Sequence, residues 1–573
     1  MLYFRIFLIS ILIFNTVSDN EIDRSIFISP LNIPLLLSSN FGELRIDHFH
    51  SGIDIKTQGV TGKEVLAASN GYIYRIGVSP GGFGNALYIK HPSGYSTVYG
   101  HLDRFTKEIE DFVKDYQYEK KSFAVNLYPS KSKFPVRKGE LIAYSGNSGS
   151  SGGPHLHYEI RQSDNEKPVN PLLFEFGTSD NITPVIEKLF IYPLSASTSI
   201  NGKNSIKKID VAGGHGNYYI PADKQILING RAGFGIKAFD LLNDSYNKCA
   251  VYSIELVIDS MTIFKYLMDE FSFSESKYIN SHIDYETYMR EKIYVQRTYL
   301  LPNDKLSVYS NLVNRGIFNF NEEKTYNASI IVTDVNNNES TLSFHIKSLP
   351  DNKPVQETKP DTNAILMPFN KQNRFISEDI RVRIPEGALY DNLSFTYNRL
   401  PGNKSMLSDL HQVHNKFNPV HRSYTLSIKP KFVPSGEESK MLIIQLDEDQ
   451  KRIPLSSKWE EGYLEAEAGT FGNFYAGIDT LAPTITANGL LSNSDLSGKR
   501  EIRIRITDDL SGIKSYEPEI DGNWALFEYD QKNDLLVYIF DEKRIKRGSE
   551  HYLKLKLTDN KDNISYFDYE FKW

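Results

Sequence analysis

The sequence predicts a mainly β chain, an antiparallel-sheet domain followed by β-sandwich modules. Three observations carry this. At 573 residues the chain exceeds what one hydrophobic core organises, so three or four domains are expected. Tyrosine and phenylalanine are abundant, 35 and 33, which favours strands. Short alternating apolar runs, bounded by turn residues, continue along most of the chain, and some recur as near copies. The net charge of −7 is mild and gives no reason to expect a nucleic-acid partner.

Residues 1–18 read as a secretory signal. Arg5 supplies the positive charge, Ile6 to Phe14 the short apolar run, and Thr16-Val17-Ser18 the small-residue cleavage site. The run is too short to span a bilayer. The expectation is an exported protein of the periplasm or cell envelope, with no stable membrane insertion after cleavage. Cys249 is the single cysteine, so no intramolecular disulfide forms, and it reads as a small buried hydrophobe. The sequence carries no signal for oligomeric state.

Residues 19–185 form the first domain, with a core at 38–162. A lead-in with Pro30 and Pro34 is followed by the loop Ser39 to Arg45. Val65 to Arg75 alternates around Gly71, Gly81 to Asn85 is a turn, and Ala86 to Lys90 is a short strand. Ser96 to Tyr99 is a further strand ending at His101. Residues 105–135 break this rhythm: Ile109, Phe112, Val113 and Tyr116 recur at helical spacing, acidic residues before and lysines after. This reads as an insertion of helix then loop, either a surface excursion or a groove wall. Leu141 to Tyr144 is a strand. The glycine-rich loop Gly146 to Gly153 lacks the Lys-Ser/Thr ending of a phosphate loop.

Three glycine-bordered islands lie in this domain: Phe49-His50-Ser51-Gly52-Ile53-Asp54, Tyr99-Gly100-His101-Leu102 and Gly153-Pro154-His155-Leu156-His157-Tyr158. They collect His50, Asp54, His101, His155 and His157. On a strand, His155 and His157 project to one face. Gly52 lets the backbone bring His50 and Asp54 to one centre. A catalytic zinc takes three protein ligands and keeps one position for water. Five candidates therefore leave a surplus for proton transfer and oxyanion stabilisation. A closed structural zinc site would want four ligands, often cysteines, and none is near. His48 and His91 read as structural, as do Asn85 and Arg161.

These islands resemble the M23 peptidase family, the lysostaphin and LytM-type zinc endopeptidases. Gly62 to Ala67, Gly84-Asn85, Lys138-Gly139 and Gly146-Asn147 also stand where that family keeps them. The likeness covers roughly residues 38–162; the insertion departs from the shorter family forms, and the C-terminal half lies outside. The resemblance implies one zinc ion held by His50, Asp54 and His157. It implies His155 as a catalytic group beside the attacking water, with His101 as its companion. It also implies peptidoglycan as substrate and partner.

Beyond residue 185 the histidine motifs stop. Thr325 to Asp334 is echoed by His551 to Asp559, and Ile236 to Asp240 by Ile504 to Asp508. Two copies of a β-sandwich, at 186–349 and 481–573, explain this, and their edge strands resemble those of immunoglobulin-like or fibronectin-like modules. Residues 350–360 are a polar, proline-containing linker. Residues 361–480 form another β-rich unit. The acidic and Asn residues of these turns read as Asx turns, because no EF-type calcium spacing occurs.

The expected function is an exported zinc metalloendopeptidase cutting peptide cross-links of bacterial peptidoglycan. The alternative is a zinc-binding wall-recognition or hydrolase-regulating protein without cleavage of its own. Against it stand the complete set of five residues and the absence of sustained heptads.

Overall fold

Eight strands and one helix position the histidine islands: β1 (Leu37–Ser39), β2 (Ile53–Lys56), β3 (Gly71–Val78), β4 (Asn85–Lys90), β5 (Tyr95–Phe105), α1 (Lys107–Lys120), β6 (Pro135–Val136), β7 (Leu141–Ser145) and β8 (His155–Gln162). The computed structural model describes residues 23–176, 180–348, 364–487 and 494–573. The expected signal, 1–18, and linker, 350–360, lie outside the described residues. The sheet runs β1-β2-β8-β5-β4-β3-β6 with every neighbour antiparallel, and β7 pairs with β5.

The period of two decides what β8 does. Leu156, Tyr158 and Ile160 point into a core shared with Ile53, Ile55 and Tyr99. His155, His157, Glu159 and Arg161 therefore share the other face. Register places His157 opposite Asp54 of β2 and Gly100 of β5.

The insertion departs from its expected form. Helix α1 buries Ile109 and Val113 and has Glu108 and Glu110 in its first turn and Lys120 in its last, as dipole logic requires. The segment after α1 is not only loop. Val125–Leu127 adds a strand to the sheet, pairing with β3 through Ile76↔Leu127. The solvent side of α1 meets the end of the chain: Tyr118 stacks edge-on against Trp524 at 5.2 Å, and Lys114 pairs with Asp541 at 3.3 Å.

The rest of the chain is β-rich with separate cores. Two sheets enclose the core of residues 186–346, two five-stranded sheets and a two-stranded one that of 367–476, and two sheets that of 496–573. Two short helices not expected from the sequence, Ile279–His282 and Tyr285–Glu291, interrupt the first of these units. That unit also grips the first histidine island. Phe41 and Phe49 are buried in its core, with ring centroids 5.3 and 5.5 Å from that of Phe271. Cys249 is buried, and burial pushes its thiol up to about 12, so it stays a small hydrophobe.

Candidate metal centre

His50 and Asp54 reach one point because Gly52 lies between them. A Cβ at Gly52 would sit 2.3 Å from the carbonyl oxygen of Tyr158, so only glycine allows this close crossing of β8. Asp54 Oδ1 lies 3.1 Å from His50 Nε2 and 2.8 Å from His157 Nδ1, and these two ring nitrogens are 3.1 Å apart. All three residues are buried.

The outer nitrogens determine what the inner ones offer. His50 Nδ1 is 2.8 Å from the carbonyl oxygen of Asn40, which only accepts, so the proton sits on Nδ1 and the Nε2 lone pair faces inward. His157 Nε2 donates to Glu159 Oε1 at 2.9 Å, which leaves Nδ1 inward. Glu159 is fully buried, accepts from Ser51 Oγ at 2.6 Å and pairs with Arg161 Nε at 2.5 Å. A histidine oriented by a buried carboxylate is the usual support of a metal ligand. Two imidazole lone pairs and a carboxylate converging at this spacing fit a tetrahedral cation with N and O ligands, which zinc is.

The remaining two histidines border this point. His155 Nε2 is 3.5 Å from Asp54 Oδ1, and its Nδ1 donates to the carbonyl of Gly153 at 2.8 Å. His101 Nδ1 donates to the carbonyl of Ser148 at 2.9 Å. The His101 and His155 ring centroids are 4.8 Å apart. Each ring thus has its Nδ1 proton committed to backbone and its Nε2 left over. His101 adopts φ +59°, a left-handed conformation that costs a non-glycine residue about 1–2 kcal/mol. Its N–H is held by the carbonyl of Phe83 at 2.8 Å, and the Phe83 ring stacks on His157 with centroids 4.9 Å apart.

Charge is unevenly tuned. Burial lowers His50 below the usual imidazole range. Burial, then His157 and His155, drive His101 down to about 3, so it is neutral. Burial would also lower His157, but hydrogen bonds with Asp54 and Glu159 outweigh it and hold the metal-free ring up to about 9, so a metal taking the Nδ1 lone pair would displace a proton. Burial opposes ionisation of Glu159, yet Arg161 and His157 keep it down to about 2. Asp54, against the same burial, is held far below the carboxylate range by His155, His157 and His50.

All five residues singled out in the sequence therefore meet in one place. His91 is buried and bonded to Asn70 O and Thr97 Oγ1, His48 is exposed, Asn85 Nδ2 binds backbone carbonyls of Leu102 and Asp103, and Arg161 serves Glu159. Sequence reasoning missed Glu159, Asn40 and Phe83. Glu159 had a signal, since it follows His157 by two residues on the same strand face; the other two had none.

The family model for peptidase family M23 matches residues 48–118 and 125–171, and that for a Zu5-like domain matches 364–479, the unit the sequence left unnamed. An uncharacterized metalloprotease of Haemophilus influenzae is 34% identical over 25% of this chain and 24% of its own length. The DD-carboxypeptidase/endopeptidase Mpg of Neisseria meningitidis is 36% identical over 25% of this chain and 28% of its own. The murein hydrolase activator NlpD of Escherichia coli is 30% identical over 22% and 26%. This chain thus spans about a quarter of the length of these curated relatives. Among solved structures, the catalytic domain of the prophage-encoded M23 protein EnpA from Enterococcus faecalis is 27% identical over 24% of this chain and 89% of that one, with TM-score 0.18. The chain carries a peptidase family M23 domain, at residues 48–171, followed by β-rich units that include a Zu5-like domain.

Proposed function

We propose that this protein is an exported zinc metalloendopeptidase that hydrolyses peptide cross-links of bacterial peptidoglycan. The observation that carries the reading is the convergence of His50 Nε2, Asp54 Oδ1 and His157 Nδ1 with two further histidines beside them. Substrate class rests on the relatives, among them the endopeptidase Mpg.

A zinc ion on the three ligands would supply Lewis acidity, lowering the pKa of water towards about 7 and polarising a scissile carbonyl. The chain's own residues supply the rest. His155 Nε2, 3.5 Å from Asp54 Oδ1, is placed to take a proton from the attacking water and return it to the leaving amine. His101, kept neutral by burial and its histidine neighbours, offers an uncommitted Nε2 next to His155. With its Nδ1 proton fixed on Ser148, His101 presents its Nε2 lone pair as a hydrogen-bond acceptor beside His155, placed to orient the attacking water. Glu159 and the Asn40 carbonyl hold the two metal-facing imidazoles in the required tautomer.

A second reading, hydrolase regulation, is favoured by one observation. Lys532, from the last module, donates to the carbonyls of Asn147 and Ser151 on the loop before His155. The last module is thereby tied to the loop whose Ser148 carbonyl holds His101.

Digestion of purified peptidoglycan and defined cross-linked muropeptides by the zinc-loaded protein tests both readings. Zinc-dependent loss of cross-linked dimers, absent with His155→Ala, is the expected result. Intact dimers despite tightly held zinc would favour regulation.

A further inference from the structure

The two β-sandwiches that echo each other in sequence carry the same acidic cluster in the same place. In the first, Asp240 lies near the end of strand Ile228–Leu241, Asp334 directly follows strand Lys324–Thr333, and Asp180 lies on the segment leading into the module. In the second, Asp508 directly follows strand Glu501–Thr507, Asp559 ends strand Glu550–Asp559, and Asp479 lies on the leading segment. Within each triad, one oxygen from each carboxylate lies within 4.8 Å of the others.

The surrounding bonds repeat. Asp334 Oδ1 accepts from the backbone N–H of Asn336 and Asn338 at 2.9 and 2.8 Å, and Asp559 Oδ1 accepts from Lys561 and Asn563, both at 2.8 Å. Asn338 Nδ2 bridges Asp334 Oδ2 at 2.7 Å and the Asp180 carbonyl at 3.1 Å. Asn563 Nδ2 bridges Asp559 Oδ2 and the Asp479 carbonyl at the same two distances. Ser340 Oγ binds the carbonyl of Pro184, and Ser565 Oγ that of Pro483. These are the Asx turns expected from the sequence, but they leave oxygens over.

Those leftover oxygens point to a ligand. Asp240 is only 2% exposed, and its buried Oδ1 has no hydrogen-bond partner. Asp180 Oδ2 in the same triad, and Asp508 Oδ1 at the position equivalent to Asp240, are also buried and unpartnered. Lys561, on the loop beside the second triad, gives its ammonium to the carbonyl of Met441 at 2.7 Å and acts on Asp479 and Asp559 only through space, which leaves Asp508 Oδ1 without a donor. A buried carboxylate oxygen with neither donor nor cation is costly, and adjacent carboxylates raise that cost. Hard oxygen donors on loops that need not be octahedral match calcium better than zinc or magnesium.

We propose that Asp180, Asp240 and Asp334, and equivalently Asp479, Asp508 and Asp559, form two calcium sites. Each clamps the segment that leads into a β-sandwich to two of its strands. The second site thereby sets the pose of the module whose Lys532 reaches the loop before His155.

The test is calorimetric titration of the full-length, zinc-loaded protein, stripped of other divalent ions, with calcium and separately with magnesium. Two calcium ions per chain are expected, with a rise in melting temperature on saturation. Asp240→Asn and Asp508→Asn, nearly isosteric, should each bind one, and the double variant none, with unchanged zinc content and far-UV circular dichroism reporting an intact fold. No calcium uptake at millimolar concentration, magnesium uptake without calcium, or a stoichiometry untouched by either substitution would overturn the assignment.

Discussion

Glu159 holds His157 from behind: its fully buried carboxylate accepts from Nε2 at 2.9 Å while its other oxygen pairs with Arg161 at 2.5 Å. This pair aims Nδ1 of His157 at Asp54. Glu159→Gln should therefore weaken zinc binding about 10- to 100-fold, the usual cost of losing such support. It should also lower stability, because Arg161 loses its buried partner and keeps only the more exposed Glu166, 3.2 Å from Nη1. Competition with a chromophoric chelator reads the first effect and denaturant melts of the chelated protein the second. An unchanged zinc affinity would remove Glu159 from the design.

The neighbouring histidines should separate cleanly. His157→Ala is expected to abolish zinc retention. His155→Ala should keep zinc and lose about 10²- to 10⁴-fold in rate, the range for acid–base groups. Metal analysis after gel filtration, beside muropeptide turnover, tests this. Equal zinc loss in both variants contradicts the division of roles.

Lys532 ties the last module to the backbone of the loop before His155. It binds the carbonyls of Asn147 and Ser151, and between them Ser148 O holds His101 while Ser151 Oγ lies 3.2 Å from His155 Nδ1. Loosening this loop displaces both rings together. Lys532→Ala should lower kcat about 10-fold with zinc content unchanged and KM little altered, since small misplacements of reacting groups are expensive. A change confined to KM would assign Lys532 to substrate binding instead.

Gly52→Ala tests the crossing that makes the centre. The added methyl meets the backbone carbonyl of Tyr158 at 2.3 Å, and backbone cannot rotate aside as a side chain can, so the strands must part. Zinc should be lost in a protein whose C-terminal units remain folded, seen as retained far-UV circular dichroism with no bound metal.

Acid should loosen the contact between the second and third units. His421 stacks on Tyr278 with centroids 3.9 Å apart, and burial, then Lys277, Arg422 and Lys305, bring it down to about 4. An unfolded histidine titrates near 6.5, so in acid the unfolded chain takes the proton first. The stability tied to neutral His421 is intact above pH 6.5 and is lost as pH falls towards 4. Allowing for its partial exposure, about 1 kcal/mol disappears between pH 7 and 5. Urea denaturation at both values should show His421→Phe losing that much less than the unaltered protein.

Much of the candidate site was legible in the sequence because its residues sit in local motifs. Two histidines two residues apart on a strand must share a face, and a glycine between His50 and Asp54 frees the turn. Strand runs such as Thr325 to Asp334 and His551 to Asp559 were equally plain, since period-two burial is written in neighbouring residues. The insertion was half legible: helical spacing marked α1, but the strand Val125–Leu127 is too short to announce itself without its partner β3.

What the sequence determined by itself is thus the mainly β class, the M23 motifs and the five residues, all properties of short-range pattern. Tertiary structure alone decided how these are held. Phe49 in the core of the next unit, Lys532 on the loop before His155 and the paired Asp triads join residues far apart in the chain, and the Asn40 carbonyl reaches His50 ten residues on. Such contacts follow from register and domain packing, which depend on many side chains at once and leave no periodic trace at either end.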